Sequence, residues 1–185
     1  MTSFNVICEM MEESAIVPLE NHYDKKKIVL TEKQCAEYSV VINNVPENSI
    51  VIKADDTFKQ PDTLFKGTKG ECKRADYIIV SEKDDKKIIL FVEMKKTKDQ
   101  EKEIVQQFKG ATCLLLYIKE IGKSFWDRAD FLDKFQKRYV SIGHISVSKK
   151  KTRYEREEKV NDKPDKMLKI THPNELQFNR LVGGN

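Results

Sequence analysis

Asp76, Glu93 and Lys95 are the residues whose types and spacing suit shared chemistry. They lie at adjoining ends of two apolar segments, Arg74-Ala75-Asp76-Tyr77-Ile78-Ile79-Val80 and Ile88-Ile89-Leu90-Phe91-Val92-Glu93-Met94-Lys95, joined by a short charged turn. Antiparallel pairing across that turn brings the start of the first segment beside the end of the second, so Asp76 and Glu93 meet. Both segments are apolar enough to be buried on both faces, and acidic groups at their adjoining ends need a partner. A divalent cation is the natural one. Side chains two apart on a strand emerge on one face, so Glu93 and Lys95 share a surface. Carboxylates holding Mg²⁺ or Mn²⁺ neutralise phosphate charge and stabilise a departing oxygen, while a nearby ammonium positions an attacking water; the chemistry indicated is phosphodiester hydrolysis.

The acidic-x-Lys triplet alone carries little information in a lysine-rich chain. It recurs at Asp24/Lys26, Glu71/Lys73, Asp84/Lys86, Asp85/Lys87 and Glu157/Lys159. Context selects Glu93 and Lys95, which alone end a long apolar strand, follow a strand opened by an acid, and precede a helical pattern carrying glutamines.

The elements that must position these groups are legible as an α/β pattern. Strands are predicted at Ile28 to Leu30, Tyr38 to Ile42, Ser49 to Lys53, Asp76 to Ser81 and Ile88 to Glu93. Asn43 to Asn48 reads as a hairpin connection, as does Glu82 to Lys86. Ala54 to Arg74 fits neither period and reads as an extended loop. From Asp99 to Leu116, Ile104, Phe108, Ala111, Cys113 and Leu115 predict a helix, with Asp99 capping or preceding it and Glu101 and Glu103 at its positive end. A second helix is predicted from Phe125 to Phe135, then strands at Tyr139 to Val147 and Met167 to Ile170 and a helical turn or two around Glu175 to Leu181. Residues 149–166 read as a charged loop.

The block around Arg74 to Leu116 resembles the PD-(D/E)XK nuclease superfamily, in which an acid opening one strand precedes, by a hairpin, an acidic-x-Lys triplet ending the next. Asp76 matches the first position; Glu93 and Lys95 match the triplet. Ala75 stands where the family's proline would be, and Pro61-Asp62 upstream is followed by no apolar strand. The resemblance implies one restriction-endonuclease-like domain over residues 1–185, a central mixed β-sheet flanked by helices. It implies Mg²⁺ or Mn²⁺ held by Asp76, Glu93 and the backbone carbonyl of Met94, with Lys95 catalytic. Many members add a glutamine on the following helix, for which Gln107 is the choice and Gln106 the neighbouring possibility; an upstream acid, Glu13 or Glu37, is also frequent. The implied activity is metal-dependent nuclease cleavage, DNA favoured over RNA, in restriction, phage defence or repair, by a possible homodimer or subunit of a larger complex. The alternative is a catalytically silent subunit that keeps the fold for nucleic-acid binding or assembly. A further rival is an unrelated α/β interaction protein with incidental acidic strand ends.

Composition restrains these readings. A chain of 185 residues suits one ordinary domain, and 34 Lys+Arg against 30 Asp+Glu leave a net charge of only +4, which by itself does not announce a nucleic-acid binder. Cys8, Cys35, Cys72 and Cys113 are scattered singly, as reduced thiols of an intracellular protein would be, and show no paired zinc spacing. No signal peptide is apparent, and the longest apolar run, Ala111 to Ile118, falls far short of the roughly 20 residues of a membrane span. A soluble cytoplasmic protein is expected. Lys149-Lys150-Lys151-Thr152-Arg153-Tyr154 could grip phosphates, but Glu155, Glu157 and Glu158 cancel much of its charge and favour a solvated loop; Lys95, Lys96 and Lys98 are better placed. His144 reads as a packed core residue, His22 and His172 have no convergent partner, Cys113 reads as packing, and Trp126 as core or partner interface.

Overall fold

The computed structural model describes residues 2–32, 38–57, 64–95, 101–143, 160–171 and 173–183. Helix α1 (Ser3–Met10) is followed by a 3₁₀ turn (Glu13–Ala15) and strands β1 (Ile16–Val17), β2 (Glu20–His22), β3 (Lys25–Thr31), β4 (Ser39–Val45) and β5 (Ser49–Lys53). Then come α2 (Ala54–Thr57), β6 (Tyr77–Lys83), β7 (Lys86–Lys95), α3 (Glu101–Phe125), β8 (Gln136–Gly143), a 3₁₀ turn (Pro164–Lys166), β9 (Leu168–Thr171), β10 (Glu175–Gln177) and α4 (Phe178–Leu181).

The chain is α/β, with a central mixed sheet ordered β1-β5-β6-β7-β8-β9. Its first four strands are mutually antiparallel, and β7, β8 and β9 run parallel. Parallel neighbours need a crossover, and α3 supplies the one between β7 and β8. A second sheet, ordered β10-β4-β3-β2, covers the opposite face.

Period-two alternation divides each central strand between two cores. Ile78, Val80, Ile89 and Phe91 meet α1 and α3, whereas Tyr77, Ile79, Leu90, Val92 and Met94 meet the second sheet and α4. Phe91 stacks on Tyr139 with ring centroids 4.8 Å apart, and Phe108 of α3 meets the same tyrosine edge-on at 5.3 Å. This aromatic contact seats α3 over β7 and β8.

Several sequence expectations are corrected. Asn43 to Asn48 is not a hairpin turn, because β4 and β5 belong to different sheets. Asn44 is left-handed (φ 58°) and Pro46 has no N–H to pair, so the chain leaves one layer for the other here. No second helix spans Phe125 to Phe135: α3 runs on to Phe125, and turns with left-handed Asp127 (φ 52°) and Leu132 (φ 58°) follow. The apolar residues there still bury Phe131, Leu132 and Phe135, while Lys119 and Lys123 of α3 both pair with Asp133. Cys113 is exposed, and Leu114 takes the packed place, since five residues beyond Phe108 is roughly 140° around a helix. The span read as a loop from Ala54 opens with α2, and Glu175 to Leu181 is half strand, half helix. Strand β8 reaches Gly143; the expected continuation through His144 to Val147, together with Asp99, lies outside the described residues.

Gly110 fixes how closely α3 approaches the segment entering β6. A Cβ at this position would lie 1.7 Å from the Lys73 carbonyl oxygen, a backbone atom that cannot turn aside. Gly110→Ala should therefore lower unfolding free energy by about 1–3 kcal/mol, the usual cost of overpacking, despite alanine's helix-propensity advantage of about 1 kcal/mol. Urea denaturation checks this, and a variant as stable as the parent would refute the close approach.

Candidate functional site

The β6–β7 ladder ends at Tyr77 opposite Val92, so the next step outward sets Asp76 opposite Glu93 on one face. That face carries Ile78 and Ile89 and is the one covered by α1 and α3. Glu93 is fully buried, and Asp76 is 9% exposed. The Asp76 backbone N–H donates to Glu93 Oε2 at 3.2 Å, and the Met94 N–H donates to Asp76 Oδ2 at 2.7 Å. Each carboxylate thus accepts a backbone hydrogen bond from the other strand.

Lys95 lies two residues beyond Glu93, and its Nζ sits 2.8 Å from Glu93 Oε1 in an ion pair. That oxygen is buried, and the Lys95 ammonium is the group that compensates it. Burial and then the Asp76 charge push the Glu93 carboxyl well above the ordinary carboxylate range, and Lys95 only partly opposes them.

These groups fit a hard divalent cation. Two adjoining carboxylates offer oxygen ligands, and Glu93 Oε1 takes no backbone N–H among the described residues, its close neighbour being the flexible Lys95 ammonium. The N–H and C=O of a strand residue leave on the same side, so the carbonyl of Met94 faces the Asp76 side with its N–H. Among the described residues, no group of three His, Cys, Asp or Glu side chains assembles here; the oxygens that could hold a cation are those of the two carboxylates and the Met94 carbonyl.

Gln107 and Gln106 are separated by their contacts. Gln106 Nε2 donates to the Lys69 carbonyl at 3.0 Å and is occupied in holding the loop before β6. Gln107 Oε1 is buried with no hydrogen-bond partner among the described residues. Gln107 lies three residues before Gly110, on the same side of α3, where the helix touches Lys73 and Arg74. Glu13 is exposed in its 3₁₀ turn beside β1, two strands from Asp76 in the sheet order, and Glu37 lies outside the described residues. Lys96, Lys98, Lys149 to Tyr154, His144, His172 and Cys35 also lie outside them. His22 sits in β2 against Tyr23, and Trp126 packs at the core margin with its indole N–H on Glu9.

Sequence reasoning missed Ser141, buried on β8 in register with Glu93, and Lys169 on β9 in register with Ser141. Only pairing order could have revealed them. It also missed Gly110, whose signal was available: a glycine inside a strong helix pattern marks close backbone approach.

No family model, curated protein or solved structure matches this chain.

The raised Glu93 carboxyl has a consequence for stability. Between its unfolded value near 4.5 and its higher folded value, the folded state holds a proton that the unfolded chain releases, so Glu93's contribution to stability falls as pH rises through that window. Glu93→Gln should therefore gain stability relative to the parent as pH increases from about 4 to about 8 in metal-free buffer. Paired urea titrations across that range measure the difference; one independent of pH would contradict the raised carboxyl.

Proposed function

We propose that this protein is a metal-dependent phosphodiesterase of the PD-(D/E)XK type that cleaves nucleic acid. The observation that carries the reading is the reciprocal latch of Asp76 and Glu93 across β6 and β7, with Lys95 2.8 Å from Glu93 on the same face. A buried acidic pair with one raised carboxyl is costly without a cation, and clusters at functional sites are the usual place for such groups. The pair also lies at the carboxyl end of β7, where open α/β sheets place their ligands.

In this reading Asp76, Glu93 and the Met94 carbonyl hold Mg²⁺ or Mn²⁺, which when bound supplies charge neutralisation at the phosphate and acidifies its water. Lys95 orients the attacking water and offsets charge as it builds on the phosphoryl oxygens. Gln107, whose buried carboxamide oxygen takes no hydrogen bond among the described residues, is the α3 residue assigned to the site. The preference for DNA over RNA, the setting in restriction, phage defence or repair, and a homodimeric or larger assembly rest on the family resemblance. The cytoplasmic reading rests on cysteines that form no disulfide among the described residues. No helix among the described residues is long and apolar enough to cross a membrane.

One observation favours a second reading, a silent subunit that binds or assembles without cutting: Lys95 already pairs with Glu93, and no third acid joins the pair among the described residues. Incubating the protein with single- and double-stranded DNA and RNA, in Mg²⁺, Mn²⁺ or chelator, decides between them. Cleavage should require the metal and fall at least about 100-fold in Glu93→Ala and Lys95→Ala. Cleavage that survives both substitutions would remove the site assignment. Absence of cleavage, with Mn²⁺ bound by the parent and not by Glu93→Ala, would establish the silent reading.

A further inference from the structure

The first turn of α3 carries two acids that reach lysines on opposite flanks of the Asp76–Glu93 pair. On the β6 side, Glu103 Oε1 lies 2.6 Å from Lys73 Nζ, and Lys73 stands three residues before Asp76. On the other side, Glu101 Oε2 lies 2.7 Å from Lys169 Nζ. Lys169 is in register with Ser141, and Ser141 with Glu93, so Lys169 stands two strands from Glu93 along one row, roughly 10 Å at ordinary strand spacing. Both ion pairs are open to solvent, with side chains 41% and 42% exposed in one and 55% and 57% in the other.

Building on the phosphodiesterase reading, we propose that Lys73 and Lys169 grip the phosphates flanking the scissile one, and that Glu103 and Glu101 occupy the two lysines until a nucleic-acid strand displaces them. Solvent-exposed ion pairs contribute little, so exchanging them for phosphate contacts that also release condensed counterions is favourable. The displaced acids keep a compatible environment, since Glu101 and Glu103 occupy the first turn of α3, at its positive end. A strand lying across the site therefore meets a cation on each side of the acidic centre, and the free protein covers both cations with carboxylates.

The alternative role for these contacts is to staple α3 to the sheet, and charge-reversed expectations separate the two. Binding is followed by fluorescence anisotropy of a labelled DNA duplex and its single strand, in chelator, over a range of salt. Joint substitution Lys73→Gln and Lys169→Gln should make the slope of log K against log salt shallower by about 1.8 for duplex and about 1.4 for single strand. Joint substitution Glu101→Gln and Glu103→Gln should tighten binding. Hydrolysis of the small diester bis(4-nitrophenyl) phosphate in Mn²⁺, which cannot span both lysines, should proceed at the parental rate in the lysine variant. Equal weakening of DNA binding by both double variants would establish a staple and overturn the grip, as would an unchanged salt slope in the lysine variant. Loss of the grip with small-diester hydrolysis intact leaves the phosphodiesterase reading standing; a parent that neither binds nucleic acid nor hydrolyses the diester removes both.

Discussion

Everything near the site depends on the two crossed hydrogen bonds that tie Asp76 to the Met94 N–H and Glu93 to the Asp76 N–H. Two carboxylates side by side in a buried place repel each other and lose solvation, and one must take a proton, a cation or a set of donors. The backbone provides one donor to each, and Lys95 offsets part of the charge. The arrangement tolerates no slip in register: moving β6 by one residue against β7 would send Asp76 to the second sheet's face and strand Glu93 alone. The tight turn between the strands, with left-handed Asp84 (φ 52°), therefore bears directly on the acidic pair at the far end of the hairpin.

The two-sided burial of the central sheet supports that arrangement. Ile78, Ile79, Leu90, Phe91 and Val92 are fully buried, so the strands are held by apolar contacts on both faces before the polar pair is reached. Burying a large apolar side chain contributes about 1.5–3 kcal/mol, enough in aggregate to carry one unfavourable polar pair at the strand ends. The second sheet covers one face and leaves the other to α1 and α3. Gly110 permits the close approach of α3 against the Lys73 carbonyl, and Gln107 is carried on the same turn of helix.

The hairpin of the site was readable because it is local: an unbroken apolar run, a charged turn and a second run fix both pairing and face within twenty-odd residues. Strand β7 and helix α3 follow from the same periodicity, although both run past the ends the pattern suggested. The second sheet was not readable, because β4 and β5 flank a short turn-like segment, as hairpin strands do, and only the tertiary placement of Tyr38, Val40 and Ile42 against Val51, Tyr77 and Ile79 separates them. Phe125 to Phe135 misled for a related reason. Its apolar spacing answers a need to cap the core, and successive turns meet that need as well as a helix does. Ser141 and Lys169 were invisible because their relation to Glu93 passes through two parallel pairings, which no local pattern encodes.

Lys95 has a part that the triplet spacing alone does not express. A fully hydrogen-bonded Glu93 would be stable and inert, since a cation would have to break aligned bonds to enter. A Glu93 with no partner would be forced to stay protonated. An ion pair at 2.8 Å, on an oxygen that takes no backbone N–H among the described residues, lies between these limits. It compensates the charge, and because Lys95 is a flexible stem whose side chain is still 18% exposed, its ammonium can swing toward solvent without disturbing the strand. On the proposed function, the same lysine that holds Glu93 ready in the free protein is then set free beside the phosphate once a cation takes its place. That is a physical reason for the acid and the lysine to share one strand face.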